Sequence, residues 1–300
     1  MYDLIIVGAG PAGITASVYA ARKKMNFLVI SQDIGGQTAY SWDIQNYTGY
    51  QFITGPELVK KFREHLEQFQ VEVKEGEAVT LVKREGERIS VKTSAGSYEG
   101  KTVIIASGRK PRLLNVPGEK EFRNKGVTYC ATCDGPLFAD LDVAVIGGGN
   151  SALDAVLQLI KIASKVYIID VAKELVADPV MVEKARASEK VTIYNNSKVE
   201  SIHGEKFVQG LTIVREGKKE DLSVQGVFIE AGSLPSSDFI KDVAKNKDAE
   251  IIINCRSETD VPGIFAAGDV TDVPAKQIIV ACGEGAKATL SAFEFLSKKR

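Results

Sequence analysis

One pattern occurs twice in this chain of 300 residues. Residues 3–31 read DLIIVGAGPAGITASVYAARKKMNFLVIS, and residues 142–170 read DVAVIGGGNSALDAVLQLIKIASKVYIID. Each copy has a short apolar run, a glycine turn, an alanine-rich segment of helical periodicity and a second apolar run. The registers agree: Gly8 to Ser31 spans 23 positions, and so does Gly147 to Asp170. Strand, helix and strand in this order make a β-α-β unit whose two strands run parallel. Two such units in a chain of this length predict an α/β fold of two Rossmann-like, three-layer nucleotide-binding domains.

The glycines carry the chemistry. Gly8, Gly10 and Gly13 form GxGxxG after a strand and at the opening of a helix, the context that gives the motif its meaning. The first glycine permits the tight turn. The second lets backbone approach a pyrophosphate, and the third lets helix pack on strand. The phosphates then lie against unpaired amides at the helix N-terminus. The second copy is Gly147, Gly149 and Ala152, with alanine an accepted third residue. Its second strand ends in Asp170, which can accept both ribose hydroxyls of NADH and would repel the 2′-phosphate of NADPH. The following VAKELVADP holds Lys173, Glu174 and Asp178 but no arginine. The plainer reading of Asp170 is a solvated strand end. The first copy ends in Ser31 and Gln32 without an acid, which speaks against NAD there and leaves FAD open.

Residues 71–100 alternate and are broken by glycine, so they predict an antiparallel meander. TVIIASG (102–108) is a buried strand. PRLLNVPG (111–118) and GSLPSSDF (232–239) are links. GIFAAGDV (263–270) is a further strand and turn, and QIIVACGEGAKATLSAFEFL (277–296) a long final helix. The expected division is a discontinuous FAD-binding domain, 1–112 and 243–300, and an NAD-binding domain, 113–242.

A formal net charge of −1 gives no electrostatic footprint for nucleic acid or an anionic membrane. No apolar run reaches the roughly 18 residues of a membrane span, and MYDLIIVGAG has no basic region of the kind that opens a signal peptide. A cytoplasmic protein is expected. In a reducing compartment a CxxC is metal-binding or catalytic rather than a structural staple. Cys130 and Cys133 form such a pair. Structural zinc needs four ligands, and neither Cys255 and Cys282 nor His65 and His203 complete a set; no metal is expected. Cys255 and Cys282 read as buried thiols, and His65 as a surface residue of an amphipathic helix. A redox disulfide fits the pair better, because a following helix lowers a thiol pKa. Asp134 can give or take the proton of dithiol chemistry, or serve as a helix N-cap.

The motifs together resemble the low-molecular-weight thioredoxin reductase family of flavoproteins: GxGPAG at 8–13, GGQ at 35–37, ITGPEL at 53–58, CATCDG at 130–135, GGGNSA at 147–152 and FAAGDV at 265–270. DIQNY (43–47), GVTYC (126–130), CDGPLF (133–138) and KQIIVACGEGAKATLSAF (276–293) are similar to the NADH-dependent flavoprotein component of alkyl hydroperoxide reductase systems. Those flavoproteins carry an extra N-terminal relay domain, so a separate relay protein is expected here. The HRRxxxR signature of NADPH-using members is absent after the second unit.

The resemblance implies FAD along Gly8, Gly10, Pro11, Ala12 and Gly13, with Ser31, Gln32, Gly36 and Gln37 around its nucleotide half. It implies Asn46 near the flavin, Gly268 and Asp269 at the ribityl–phosphate region, and Val79, Gly108, Lys276, Gln277 and Ile278 completing the set. The final helix would turn its positive end to the flavin. NADH would bind Gly147, Gly149, Asn150, Ser151, Ala152, Asp170 and Gly232. Cys133 would face the flavin and Cys130 would attack the partner. The implied activity is electron transfer from NADH through FAD and the Cys130–Cys133 pair to a thioredoxin-like or glutaredoxin-like CxxC protein, by a homodimer, with a peroxiredoxin as one final acceptor. The disulfide and the nicotinamide share one domain and the flavin belongs to the other, so rotation about links near 111–118 and 232–250 is expected. The competing readings are the same flavoprotein fed by ferredoxin or another donor, with a vestigial NAD site, and a nonenzymatic metal- or nucleotide-binding module. The intact second turn and Asp170 stand against the ferredoxin reading.

Overall fold

Continuous apolar runs decide the centre of each sheet. In the computed structural model, which describes residues 1–41 and 44–298, β1 (Tyr2–Ala9) buries Leu4, Ile5 and Ile6 completely. Burial on both faces is what a central parallel strand requires, and each such side chain contributes about 1.5–3 kcal/mol. Alternation sorts the faces: Leu4 and Ile6 join the cluster under the helices, while Ile5 and Val7 join the cluster on the opposite face.

After the first turn, α1 (Pro11–Arg22) starts with proline, whose missing N–H costs nothing there. β2 (Phe27–Ile34) lies parallel to β1. α2 (Gly55–Gln68) opens with a capping box between Thr54 and Glu57, and His65 on it is exposed. β3 (Val73–Glu75) extends the parallel sheet beside β2 rather than opening the meander expected from residue 71. The meander is β4 (Val79–Glu85), β5 (Arg88–Thr93) and the first part of β6 (Ser97–Ile105). β6 then continues into the sheet centre parallel to β1, because Val103, Ile104 and Ile105 have no exposed face. The strand order is β3-β2-β1-β6-β5-β4.

The chain leaves this unit through β7 (Arg109–Pro111). The second unit holds β8 (Val127–Thr128), α3 (Ala131–Asp134), β9 (Asp142–Ile146), α4 (Asn150–Leu159), β10 (Lys165–Ile169), α5 (Pro179–Arg186) and β11 (Val191–Tyr194). An antiparallel sheet of β12 (Ser197–Gly204), β13 (Val208–Arg215) and β14 (Lys218–Leu222) follows, then β15 (Gly226–Ile229). The five-stranded sheet β11-β10-β9-β15-β8 is parallel throughout. Val143 and Val145 pack with α4 residues Leu153 and Val156, while Ala144 and Ile146 pack with the antiparallel strands. Three layers result.

β16 (Ser233–Pro235) returns the chain and pairs with β7. The compact units are Met1–Lys110 with Leu234–Arg300, and Pro111–Ser233. Residues 234–242 therefore go with the first unit and not with the second as expected, and residues 111–112 go with the second rather than the first. The reason is local: Ile240 is fully buried, bridged to Val82, and the Val82 N–H donates to the Phe239 carbonyl at 2.9 Å. β17 (Ile264–Ala266) adds a strand parallel to β6, and α6 (Ile278–Lys298) packs along α1. No helix among the described residues is long and apolar enough to cross a membrane.

Candidate functional site

The two glycine turns have the same construction. A Cβ on Gly8, at φ +105, would lie 2.3 Å from the Ala106 carbonyl oxygen, and one on Gly13 would lie 1.8 Å from the Gly8 oxygen. Both positions are closed by backbone. Gly10 differs: nothing lies within 4 Å of its Cβ position, and α1 begins there without a side-chain cap. Open space over uncapped helix amides is a cradle that fits the pyrophosphate of a dinucleotide such as FAD. In the second unit a Cβ on Gly147 (φ +131) would lie 2.2 Å from the Glu230 carbonyl oxygen, Ala152 is fully buried, and Gly149 again faces open space. α4 also starts without a side-chain cap.

Around the first turn the structure gathers part of the expected set. A Cβ on Gly36 would come 3.4 Å from the Gly10 Cα, so the GGQ stretch comes up against the turn that leads into Pro11 and Ala12. Ser31 is buried and its hydroxyl serves the backbone, accepting from the Ala9 N–H at 3.0 Å and donating to the Asp33 carbonyl at 2.6 Å. Gln32 is exposed beside it. The Gln37 side chain donates to the Arg109 carbonyl at 3.4 Å, one residue beyond Gly108. The Asn46 amide donates to Gln277 at 3.0 Å, which joins residue 46 to the start of α6. The Gln277 carbonyl accepts the first α6 bond, from the Ala281 N–H, immediately before Ile278. Val79 opens β4 and packs on the opposite face of the sheet from α1. Asp43, in the DIQNY stretch, lies outside the described residues.

The expected Gly268, Asp269 and Lys276 come with three residues that motif reading misses. Burial raises the Asp269 carboxyl, and the charges of Lys276 and Arg109 pull it back. Lys276 and Arg109 both pair with Glu250, at 3.0 and 2.8 Å. Burial pushes the Glu250 carboxyl up, but hydrogen bonds from Asn246, Lys276 and Arg109 outweigh it and hold it below the ordinary range. Glu284 on α6 is buried and accepts the Gly268 N–H at 2.8 Å, which fixes the GD turn. The sequence signal for Glu284 is an acid among the small residues of a buried helical face.

The second turn collects Gly147, Gly149, Asn150, Ser151, Ala152 and Asp170 at the carboxyl ends of β9 and β10, where open parallel sheets bind ligands. Asp170 is no solvated strand end: it is buried, and its Oδ2 would be 2.1 Å from a Cβ on Gly148. A side chain at Gly148 would therefore displace the Asp170 carboxylate. Asn150 accepts the Asp178 N–H at 2.8 Å. Gly232, at φ +86, has open space at its Cβ position.

Cys130 and Cys133 are joined as a disulfide with Cα atoms 5.4 Å apart. Cys130 occupies the N-cap of α3 and its Sγ accepts the Cys133 N–H at 3.1 Å; Cys133 is exposed and Cys130 half-buried. Asp134 closes α3 and does not cap a helix through its side chain; its carboxylate accepts a short hydrogen bond from the Thr128 hydroxyl. Thr128 in turn accepts the Cys130 N–H at 3.2 Å. Of the other thiols, Cys282 is buried 3.8 Å from the Tyr47 hydroxyl, and burial pushes it up; Cys255 is exposed, contrary to expectation, because it sits in a turn between β16 and β17.

The pattern described as pyridine nucleotide-disulphide oxidoreductase matches residues 2–285. The chain is 41% identical over 299 residues to the F component of alkyl hydroperoxide reductase from Staphylococcus aureus (strain MSSA476), covering 98% of this chain and 59% of that one. It thus spans 59% of the length of that curated relative. Among solved structures it is similar to Lactococcus lactis thioredoxin reductase, with TM-score 0.96 and 35% identity over 99% of this chain and 100% of that chain. Similarity to T. acidophilum thioredoxin reductase gives TM-score 0.93 and 34% identity over 100% and 99% of the two chains. Sequence match, backbone match and redox disulfide agree, and this chain belongs to the pyridine nucleotide-disulphide oxidoreductase family, among its thioredoxin-reductase-like flavoproteins.

Proposed function

We propose that this protein is an NADH-preferring, FAD-dependent disulfide reductase whose electron acceptor is a thioredoxin-like or glutaredoxin-like CxxC protein. The observation that carries it is the Cys130–Cys133 disulfide, Cys133 exposed and Cys130 half-buried, in the unit that also holds the second glycine turn. FAD fits the first turn along Gly8, Gly10, Pro11, Ala12, Gly13 and Gly36, with Asp269, Lys276 and the α6 N-terminus as further contacts. Bound there it supplies the two-electron link between a nicotinamide hydride and a disulfide.

The chain's own groups do the rest. Two electrons open the disulfide to a dithiol. The Cys133 N–H, which donates to the Cys130 sulfur at 3.1 Å, favours a thiolate on Cys130. That thiolate attacks the partner disulfide, a mixed disulfide forms, and Cys133 resolves it; the bond between Cys130 and Cys133 is restored and the partner leaves as a dithiol. Asp134, held by Thr128, takes and returns the proton. Asp170, buried beside Gly148, supports NADH over NADPH, since a 2′-phosphate would meet its charge. A homodimer, a cytoplasmic location and reorientation of the two units during turnover belong to the same proposal.

The test is anaerobic titration of the purified flavoprotein with NADH and NADPH in parallel, followed by a panel of CxxC proteins. NADH should bleach the flavin absorbance at lower concentration than NADPH, and at least one CxxC protein should be reduced. Failure of both nucleotides would instead favour a ferredoxin-fed enzyme.

A further inference from the structure

The second unit carries a carboxyl that neither the glycine motif nor the disulfide explains. Glu230 follows the end of β15, and its N–H donates to the Ile146 carbonyl at 2.8 Å. Its own carbonyl forms the wall against which Gly147 turns. The backbone of Glu230 is therefore part of the nucleotide turn, and its side chain is anchored at the same edge of the sheet. Ser151, in the first turn of α4, hydrogen-bonds the Glu230 carboxyl, and Asp154, one turn further along α4, faces it as a second acid. Asp154 in turn accepts from Gln158 at 3.2 Å, and Gln158 accepts the Thr132 hydroxyl of α3 at 2.9 Å. Among the described residues Asp154 is the charged neighbour that acts on it.

We propose that Glu230 meets the dinucleotide as a neutral carboxylic acid, and that its proton controls how tightly the second turn holds an anionic pyrophosphate. An ionised carboxylate in this corner would face the pyrophosphate at close range with little water between them. The acid form removes that repulsion and leaves an O–H to donate. Burial, opposed by the Ser151 hydrogen bond and assisted by Asp154, raises the carboxyl to about 8, so the acid form prevails at neutral pH. The proposal rests on a pyridine nucleotide occupying the second turn.

If only the acid form accepts the ligand, affinity is nearly flat below about pH 7, halves at about pH 8 and falls about tenfold between pH 7 and pH 9. The probe is NAD⁺, which binds the oxidised holoenzyme without reducing it. Calorimetric titration at pH 6.5–9.5, in two buffers of different ionisation enthalpy, reads both affinity and proton uptake. Wild type should weaken about tenfold from pH 7 to pH 9 and take up close to one proton per NAD⁺ at pH 9. Glu230→Gln should bind with no pH slope through this range and no uptake. Asp154→Asn, which removes the neighbouring charge, should move the wild-type midpoint to lower pH, and it carries the test if the Gln variant does not fold. Equal slopes in wild type and Glu230→Gln overturn the proposal. Absence of NAD⁺ binding at every pH, or binding indifferent to Gly149→Ala, overturns instead the underlying nucleotide assignment.

Discussion

Gly149→Ala separates binding from folding more cleanly than any other single change in the second unit. Gly149 has φ −92 and ψ −175, a backbone that alanine adopts freely, and a Cβ there meets nothing within 4 Å. Two small effects on stability oppose each other. Less freedom in the unfolded chain stabilises by about 0.4–1 kcal/mol, and alanine at an N-cap costs about 0.5–1 kcal/mol against glycine's open amides. The net change is close to zero, within about 1 kcal/mol. Binding is different, because the new methyl fills the space over the α4 amides. Losing one charge-assisted hydrogen bond to phosphate costs about 1.5–3 kcal/mol, or about 10- to 150-fold in Kd. Gly147→Ala is the control: its φ of +131 and the 2.2 Å approach to the Glu230 oxygen should lower Tm outright. The assay is thermal unfolding beside NAD⁺ titration of each variant. A Gly149→Ala protein with wild-type Tm and wild-type affinity would refute the cradle, and one that unfolds would refute the open geometry.

Cys133→Ser should still let NADH bleach the flavin in a stopped-flow trace while abolishing reduction of the CxxC partner. Asp170→Ala should weaken NADH by about 10-fold or more, from the loss of charged hydrogen bonds, and narrow its advantage over NADPH in parallel titrations; unchanged selectivity would refute the ribose role. Glu284→Ala removes the acceptor of the Gly268 N–H and should cost about 1.5–3 kcal/mol in Tm-derived stability, with a lower flavin-to-protein ratio after dialysis. Glu230 gives a pH signature in unfolding as well. Its native carboxyl, raised to about 8, keeps a proton that the unfolded chain releases near its ordinary value of 4.5, so stability is complete below pH 4.5 and declines as pH rises to about 8. The Tm gain of Glu230→Gln over wild type should therefore grow from pH 5 to pH 8 and then level; a constant difference would contradict the raised carboxyl.

Much of this protein is legible in its letters because its two nucleotide turns are local. Gly8, Gly10 and Gly13 sit at fixed spacing between a strand and the helix that follows it, so the pattern exposes them even though the wall against Gly8 is Ala106, brought from β6's end. The same holds for Cys130 and Cys133, which need two intervening residues, and for the continuous apolar runs of β1 and β9, buried on both faces. Other features depend on partners distant in sequence. Glu284 matters because the Gly268 amide arrives opposite it, and Arg109, Glu250 and Lys276 meet only after residue 109 and the 250–276 segment share a unit. Residue preference makes Asp134 a candidate cap, yet Thr128, from the strand before, claims its carboxylate.

Two α/β nucleotide-binding units and a redox pair are written into the chain, because strand–turn–helix patterning and the spacing of glycines and cysteines are short-range. Folding in three dimensions was needed to assign residues 234–242 to the first unit, to run Val73–Glu75 parallel, and to stand Glu230 at the second turn. Those outcomes turn on which buried surface or hydrogen-bonding edge a segment finds, and that depends on chain brought from far away.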